Sequence, residues 1–236
     1  MLVQLDSSLA QPPTAAGTLD DVTFAIAPNV STDQPLVAAL LANGAALVGS
    51  CDDLAQAVAQ QQVDCAVGID AAGSLRKLAA ASNVFALRTS VAEGFDAPGF
   101  VAGDVDIFQK LVSGLLPASS WHSLQLIGKP APAQQAQLAE ALTQLRQGPN
   151  DAAAAVQAAW QTKLNHDLKK AVMPLPTVAD NAEDSACLLA LAELARCPQV
   201  TIPTDEGSRS FIGPNASDAA LAAYAIHRVL VHTGDC

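Results

Sequence analysis

The chain has 236 residues, half of them hydrophobic, and it carries 12 Lys and Arg against 23 Asp and Glu, a formal net charge of −11. A chain of this length and apolar content can bury a core of its own. The acidic excess repels phosphate backbones and anionic lipid surfaces, so neither a nucleic acid nor a membrane is expected as a partner.

Short apolar runs alternate with longer Ala- and Leu-rich helical segments, which predicts an α/β fold: a mixed β-sheet core flanked by helices, in a single domain over 1–236. In the first part of the chain, strands are predicted at 22–27, 45–48, 65–68 and 84–88. Helices are predicted between them at 34–43, 52–60 and 74–81.

The second part begins with an apolar-periodic helix that Asp104 caps and that runs to about Leu116. A break at Gly148-Pro149-Asn150 separates two further predicted helices. These and the remaining predicted elements are a strand at 124–127, helices at 132–147 and 151–171, a helix at 183–196, strands at 200–202 and 210–212, and a helix at 218–232. The Pro- and Gln-rich stretch 129–137 is the expected linker or surface loop.

The five cysteines and four histidines have no spacing typical of a disulfide framework or a metal site. His227 and His232 lie five residues apart, which places them on different sides of a helix. The sequence therefore predicts no metal and no other cofactor. Scattered thiols, the lack of a signal-peptide pattern and the lack of an apolar run of roughly 20 residues predict a cytoplasmic protein.

A lone serine stands where the third predicted strand turns into a helix, in the stretch GIDAAGSLRK at 68–77. A hydroxyl at such a turn lies among backbone N–H groups that can hold an oxyanion, but serine is also a common helix N-cap. The N-cap is the favoured interpretation of Ser74, with a residual nucleophile and a polar contact in a binding cleft as alternatives. Asp70 and Arg76 are expected to form an ion pair that fixes the turn.

This stretch resembles the nucleophile segment G-T-D-x-G-G-S-I-R of the amidase signature family of serine hydrolases. Further segments resemble other motifs of the family in the same order: PLVAALLANGAALVGS at 35–50, VFALRTS at 84–90, FDAPGFVAGD at 95–104, and CPQVTIP at 197–203 with IGPNASDAAL at 212–221. The resemblance implies that Ser74 stands at the nucleophile position. It also implies that the backbone of Ala71, Ala72 and Gly73 stands at the oxyanion-hole position.

The departures from the family pattern concern the activation of the serine. The family uses a Ser–Ser–Lys triad, and Ala27 stands where the resemblance implies the lysine. The Gly/Ser-rich loop that supplies the bridging serine is absent after Gly49-Ser50, and the chain is about half the length usual for the family. Lys77 gives an S-x-x-K match with Ser74, but a solvated lysine is the favoured interpretation.

These departures predict a shortened, catalytically inactive relative of the family that acts by binding. Its partner would be a small amide or carboxylate ligand or another protein, for which it would serve as a scaffold component, and a homodimer or a heteromeric complex is expected. The alternative is a hydrolase of non-peptide amide C–N bonds with Ser74 as nucleophile and an unrecognised base.

Overall fold

The computed structural model describes residues 3–90, 94–117, 131–167, 173–175, 192–194, 196–204 and 207–213, together with residues 216, 219, 220, 223 and 227. The strands in these ranges are β1 (Thr23–Ile26), β2 (Ala46–Ser50), β3 (Cys65–Asp70), β4 (Phe85–Arg88), β5 (Ala97–Ala102), β6 (Met173–Leu175), β7 (Gln199–Thr204) and β8 (Gly207–Ile212). The longer helices are α1 (Pro35–Ala42), α2 (Leu54–Ala59), α3 (Ser74–Ala81), α4 (Val105–Leu115), α5 (Pro132–Gln147) and α6 (Asp151–Asp167), and a short 3-10 helix lies at Ser7–Leu9.

The strands form one mixed sheet in the order β2-β1-β3-β5-β4-β7-β8-β6. β1 pairs in parallel with β2 and β3, and the remaining pairs are antiparallel. The prediction of a mixed α/β fold is confirmed. At the β2 edge, the N-terminal segment lies antiparallel to the strand, with Asp6 opposite Ser50 and Gln11 opposite Leu47.

Helices cover both faces of the sheet. On one face, α1 and α4 pack through side chains such as Leu40 and Leu111 against the Phe24 and Phe100 side chains of the sheet. On the other face, α2 and α3 pack over small strand residues, Ala25, Ala66 and Ala86, which let the helices approach closely. In the described part of the chain, no helix is long and apolar enough to cross a membrane.

The α5–α6 hairpin packs at the β8 side of the sheet. Leu138 of α5 and Trp160 of α6 are buried in a cluster with Ile212 of β8 and with Leu194, which belongs to a short helical stretch at 192–194. Gly148 separates the two helices with a φ of 149°, as expected from the predicted break. This hairpin brings the end of α5 toward the residues that support the start of α3.

Most of the predicted elements are confirmed, and their ends differ from the predicted ones by one to a few residues. The confirmed elements are β1 to β4, α1 to α6, β7 and β8. β5 and β6 were not predicted. The strand predicted at 124–127 lies outside the described residues, as do most of the helices predicted at 183–196 and 218–232. Residues 132–137 of the expected linker belong to α5, and the single domain stays a prediction.

Candidate functional site

The serine turn, which we define as residues 71–74, connects the end of β3 to the start of α3. Ala72 and Gly73 both adopt left-handed backbone angles, with φ values of 51° and 74°. Glycine adopts this conformation without steric cost, whereas in alanine it costs roughly 1–2 kcal/mol because the Cβ crowds the backbone. The turn is therefore a sharp and strained connection that exposes both Ala72 and Ser74 to solvent.

The N-cap of α3 is Gly73, and Ser74 is the first helical residue, so the N-cap interpretation of Ser74 is wrong. The capping acceptor comes from the strand before the turn. The Oδ1 atom of Asp70 accepts hydrogen bonds from the backbone N–H of Leu75 at 3.0 Å and of Arg76 at 3.4 Å. A buried carboxylate, and not the serine hydroxyl, thus accepts from two donors at the start of the helix.

The Ser74 hydroxyl donates a long hydrogen bond, 3.5 Å, to the carbonyl oxygen of Ile69. Lys77, the partner suggested by the S-x-x-K spacing, is exposed and its Nζ donates to the carbonyl oxygen of Ala72 at 3.1 Å. Among the described residues, no basic group is recorded as a partner of the hydroxyl. The arrangement lacks the nucleophile–base hydrogen bond that serine catalysis requires.

Ala27 lies directly beside this region. It follows β1, and its N–H donates to the carbonyl oxygen of Val67 in β3 at 2.9 Å. The position at which the resemblance implies a lysine is thus one strand away from the segment that leads to Ser74. A methyl group there supplies neither a proton acceptor nor a charge.

Backbone donors are available at the serine turn. The N–H of Ala71 donates to Ile69 and that of Ser74 donates to Ala71. For the N–H groups of Ala72 and Gly73, the part of the chain that the structure describes contains no recorded acceptor. Ala72 is exposed and Gly73 is buried, and unengaged amides next to a hydroxyl are suited to an acceptor oxygen of a ligand that reaches the exposed side of the turn.

The structure brings Asp70 and Arg76 together in an ion pair through Oδ2 and Nε, with both side chains fully buried. Arg76 also donates to Glu193 Oε1 at 3.0 Å and to Gln199 Oε1. Neither partner was identified from the sequence, in which they lie 117 and 123 residues away. These contacts give a partner to each nitrogen of the Arg76 guanidinium, which a buried ion pair needs, whereas Nε2 of Gln199 has no hydrogen-bond partner among the described residues.

Arg88, at the end of β4, is a second buried guanidinium in this cluster. Its Nε lies 3.6 Å from Asp70 Oδ2, and its other nitrogens donate to the carbonyl oxygens of Cys197 at 2.7 Å and Phe95 at 2.8 Å. Burial, and after it the charge of Arg76, lowers the pKa of Arg88 to about 10. Arg88 therefore remains a cation at neutral pH and shares the Asp70 carboxylate with Arg76.

A cavity of about 450 Å³ lies at the opposite ends of these strands, between the C-terminal ends of α2 and α3 and the start of α4. Asp64 and Asp104 line it, and the serine turn does not. Asp64 Oδ2 accepts from the N–H and the hydroxyl of Thr23, and Asp104 caps α4 by accepting from Ile107 N–H at 2.8 Å. Both carboxylates thus have structural roles.

The architecture matches solved amidase structures over most of its length. A 6-aminohexanoate cyclic dimer hydrolase superposes with a TM-score of 0.60 at 13% identity, over 93% of this chain and 85% of the other. A glutamyl-tRNA(Gln) amidotransferase chain from Thermotoga maritima gives 0.60 at 13%, over 93% and 84%. A chain from a vestigial protein complex, described as revealing the origins of an s-triazine catabolic enzyme, gives 0.63 at 15%, over 93% and 85%.

The chain has the amidase fold. The resemblance seen in the sequence motifs is thereby confirmed for the fold. Sequence identities of 13–15% establish a shared fold and nothing finer. No protein-family model and no curated protein matches the sequence. An amidase fold leaves the chemistry open, because a fold supports a reaction only through the residues of its site.

Proposed function

We propose that this protein is a catalytically inactive protein of the amidase fold that binds a small amide or carboxylate at the serine turn. The observation that carries the proposal is the environment of the Ser74 hydroxyl. Its recorded partner among the described residues is the Ile69 carbonyl oxygen, which is far too weakly basic to take up a proton. A serine without a positioned base is a very weak nucleophile at neutral pH.

One substitution relative to the family pattern, at Ala27, and the position of Lys77 support the proposal. Ala27 carries a methyl group beside β3, where the resemblance implies a lysine. Lys77 is the nearest lysine in the sequence, and its ammonium donates to a carbonyl. Lys77 Nζ thus contacts the Ala72 carbonyl and not the Ser74 hydroxyl, so it is not placed to take up the serine proton in this geometry.

The ligand class follows from the donors at the turn. The amides of Ala72 and Gly73 precede the N-terminus of α3, where the helix dipole favours negative charge. Lys77 adds a positive charge next to the Ala72 carbonyl. An oxygen with accessible lone pairs, in an amide or a carboxylate, matches this set of donors, and hydrolysis would need a base in addition.

Labelling with a fluorophosphonate tests the absence of catalysis. Intact-mass measurement after incubation with the probe should show no adduct at neutral pH. Ser82→Ala, which changes a serine at the opposite end of α3, is the matched control for Ser74→Ala. A single adduct that is lost in Ser74→Ala and kept in Ser82→Ala would refute the proposal and favour an amide hydrolase.

Binding is tested separately by NMR titration with acetamide and with acetate. The amide resonances of Ala72 and Gly73 should shift with either probe, whereas those of the cavity residues Asp64 and Asp104 should not. Shifts confined to the cavity, or none at the turn at high probe concentration, would contradict binding at the serine turn.

We also propose that the protein works in an assembly, as a homodimer or with a second protein. One solved chain with this fold is described as an amidotransferase subunit, another as part of a complex, which supports the proposal by analogy. Light scattering of the purified chain, alone and with candidate proteins, tests it, and a monomer that binds none of them counts against it.

The buried thiols of Cys51 and Cys65 fit the predicted cytoplasmic location.

A further inference from the structure

Arg146, near the end of α5, connects the protein surface to the buried charges behind the serine turn. Its side chain is 30% exposed, and its Nη2 donates to Asp96 Oδ1 at 2.8 Å and to Glu193 Oε2 at 2.9 Å. Asp96 is itself half exposed, whereas Glu193 is buried. Arg146 and Asp96 thus form the solvent-exposed end of the charged cluster.

From Glu193 the contacts continue inward without a gap. Its second oxygen, Oε1, accepts from Arg76 Nη2 at 3.0 Å, and Arg76 Nε donates to Asp70 Oδ2. The other oxygen of Asp70 holds the N–H groups of Leu75 and Arg76 in the first turn of α3. Four charged side chains of alternating sign therefore link α5 to the backbone that follows Ser74.

A second connection reaches the same carboxylate. The guanidinium of Arg146 lies over the Phe95 ring, 5.4 Å from its centroid. The carbonyl oxygen of Phe95 accepts from Arg88 at 2.8 Å, and Arg88 Nε lies 3.6 Å from Asp70 Oδ2. Both series of contacts that start at Arg146 therefore end at the Asp70 carboxylate.

The charges of this cluster balance. Three cations, Arg76, Arg88 and Arg146, face three carboxylates, Asp70, Asp96 and Glu193. Without the Arg146 cation, Arg76 is the remaining ion-pair partner of Glu193, with the Arg88 charge acting on it from further away, and Arg76 is shared between two buried carboxylates. Burial makes an unpaired charge costly, so a buried carboxylate that loses one cation interacts more strongly with the remaining one. Glu193 would then compete with Asp70 for Arg76.

We propose that Arg146 is a positioning residue for the serine turn: docking of the α5–α6 hairpin through Arg146 fixes Asp70, which in turn fixes the start of α3. A ligand at the turn and a partner that engages Arg146 are then coupled, and each changes the affinity for the other by the same factor. The consequence for ligand binding rests on the proposed function. The mechanical link between Arg146 and the turn does not.

Amide hydrogen exchange of the full chain tests the link without any ligand. In Arg146→Met, which keeps a long side chain without charge, the Leu75 and Arg76 amides should exchange at least about tenfold faster. The Phe24 and Val67 amides, in the centre of the sheet, should keep their protection. In Arg146→Lys the acceleration should be smaller than in Arg146→Met, because the ammonium keeps a positive charge beside Asp96 and Glu193, which Arg146 contacts through a single nitrogen.

Lys110→Met is the matched control. It removes the cation of an exposed ion pair between Lys110 of α4 and Asp21, and the exchange rates of the Leu75 and Arg76 amides should stay unchanged. An equal loss of protection in sheet and turn, or no change at the turn, would overturn the link. If Arg146→Met does not fold, Arg146→Lys carries the test by the same local criterion. Acetamide titration of the wild type tests the proposed function separately. If the amide resonances of Ala72 and Gly73 do not shift, ligand binding at the turn is rejected. The hydrogen-exchange result still tests whether Arg146 positions the turn.

Discussion

The Asp70 carboxylate pairs with the Arg76 guanidinium in a fully buried contact, and the same carboxylate accepts the N–H of Arg76 at the start of α3. One side chain therefore neutralises a buried charge and caps a helix. The contact fixes the angle at which β3 passes into α3 and with it the exposed position of Ser74.

Replacing this carboxylate should be among the most damaging single changes in the protein. Asp70→Asn keeps an oxygen for the helix cap but leaves Arg76 and Arg88 buried beside a neutral group. The expected loss is about 3–5 kcal/mol of unfolding free energy, the usual cost of breaking a buried ion pair. Urea denaturation measures it.

The control for this change is Asp21→Asn, which breaks the exposed pair with Lys110. Exposed pairs contribute little because water and salt screen them, so no clear change in the denaturation midpoint is expected. Equal effects of the two variants would contradict the importance assigned to burial.

Ala72→Gly should stabilise the protein. The left-handed φ of 51° costs alanine roughly 1–2 kcal/mol. Glycine removes this cost, but its greater freedom in the unfolded chain offsets about 0.4–1 kcal/mol of the gain, so a net stabilisation of up to about 1.6 kcal/mol is expected. Ala71→Gly, one residue earlier and without positive φ, should destabilise by about 0.4–1 kcal/mol. Thermal denaturation distinguishes the two, and a loss of stability in Ala72→Gly would argue against the strained turn.

Gly49→Ala should release the N-terminal segment from the edge of the sheet. A Cβ at Gly49 would lie 2.2 Å from the carbonyl oxygen of Asp6, and the φ of 149° is also unfavourable for alanine. Gly148 has the same φ of 149° but nothing within 4 Å of its Cβ position. Limited proteolysis should cut the N-terminal segment faster in Gly49→Ala than in Gly148→Ala, and similar cutting would mean that backbone strain alone explains the effect.

Stability should fall at alkaline pH partly because of Cys51. Burial, reinforced by the charges of Asp53 and Asp52, raises the pKa of this thiol from 9.0 to about 11. Between these values the unfolded chain has lost a proton that the folded protein retains, so unfolding becomes easier as pH rises from 9 to 11. Urea midpoints of Cys51→Ala should decline less steeply over this interval than those of the wild type. Parallel declines would contradict the assignment.

Local patterns predicted most of the elements correctly, because alternation of apolar runs and capping residues such as Asp104 act over a few positions. β5 was missed because Pro98-Gly99 lies inside it, a pair more typical of turns than of strands. Pro98 is accommodated opposite Ile69, and its carbonyl oxygen accepts from the Thr89 N–H and hydroxyl.

The surroundings of the candidate site were less predictable. The sequence suggested the Asp70–Arg76 pair because the two residues lie in one motif. Glu193 and Gln199 come from distant elements and meet Arg76 only after the sheet has assembled. A signal for Glu193 did exist, since it is a lone charge in the apolar run CLLALAEL at 187–194. A charge in such a position needs a buried partner.

Among the strands that the structure describes, the two at the edges of the sheet, β2 and β6, differ in how they limit the addition of a further strand. At β2, the N-terminal segment already occupies backbone groups of Leu47 and Ser50. At β6, Pro174 has no N–H to offer. A second copy or another protein would therefore gain little by continuing the sheet, and a complex should instead bury side chains of the surrounding helices, where Leu78 of α3 already exposes 43% of its surface.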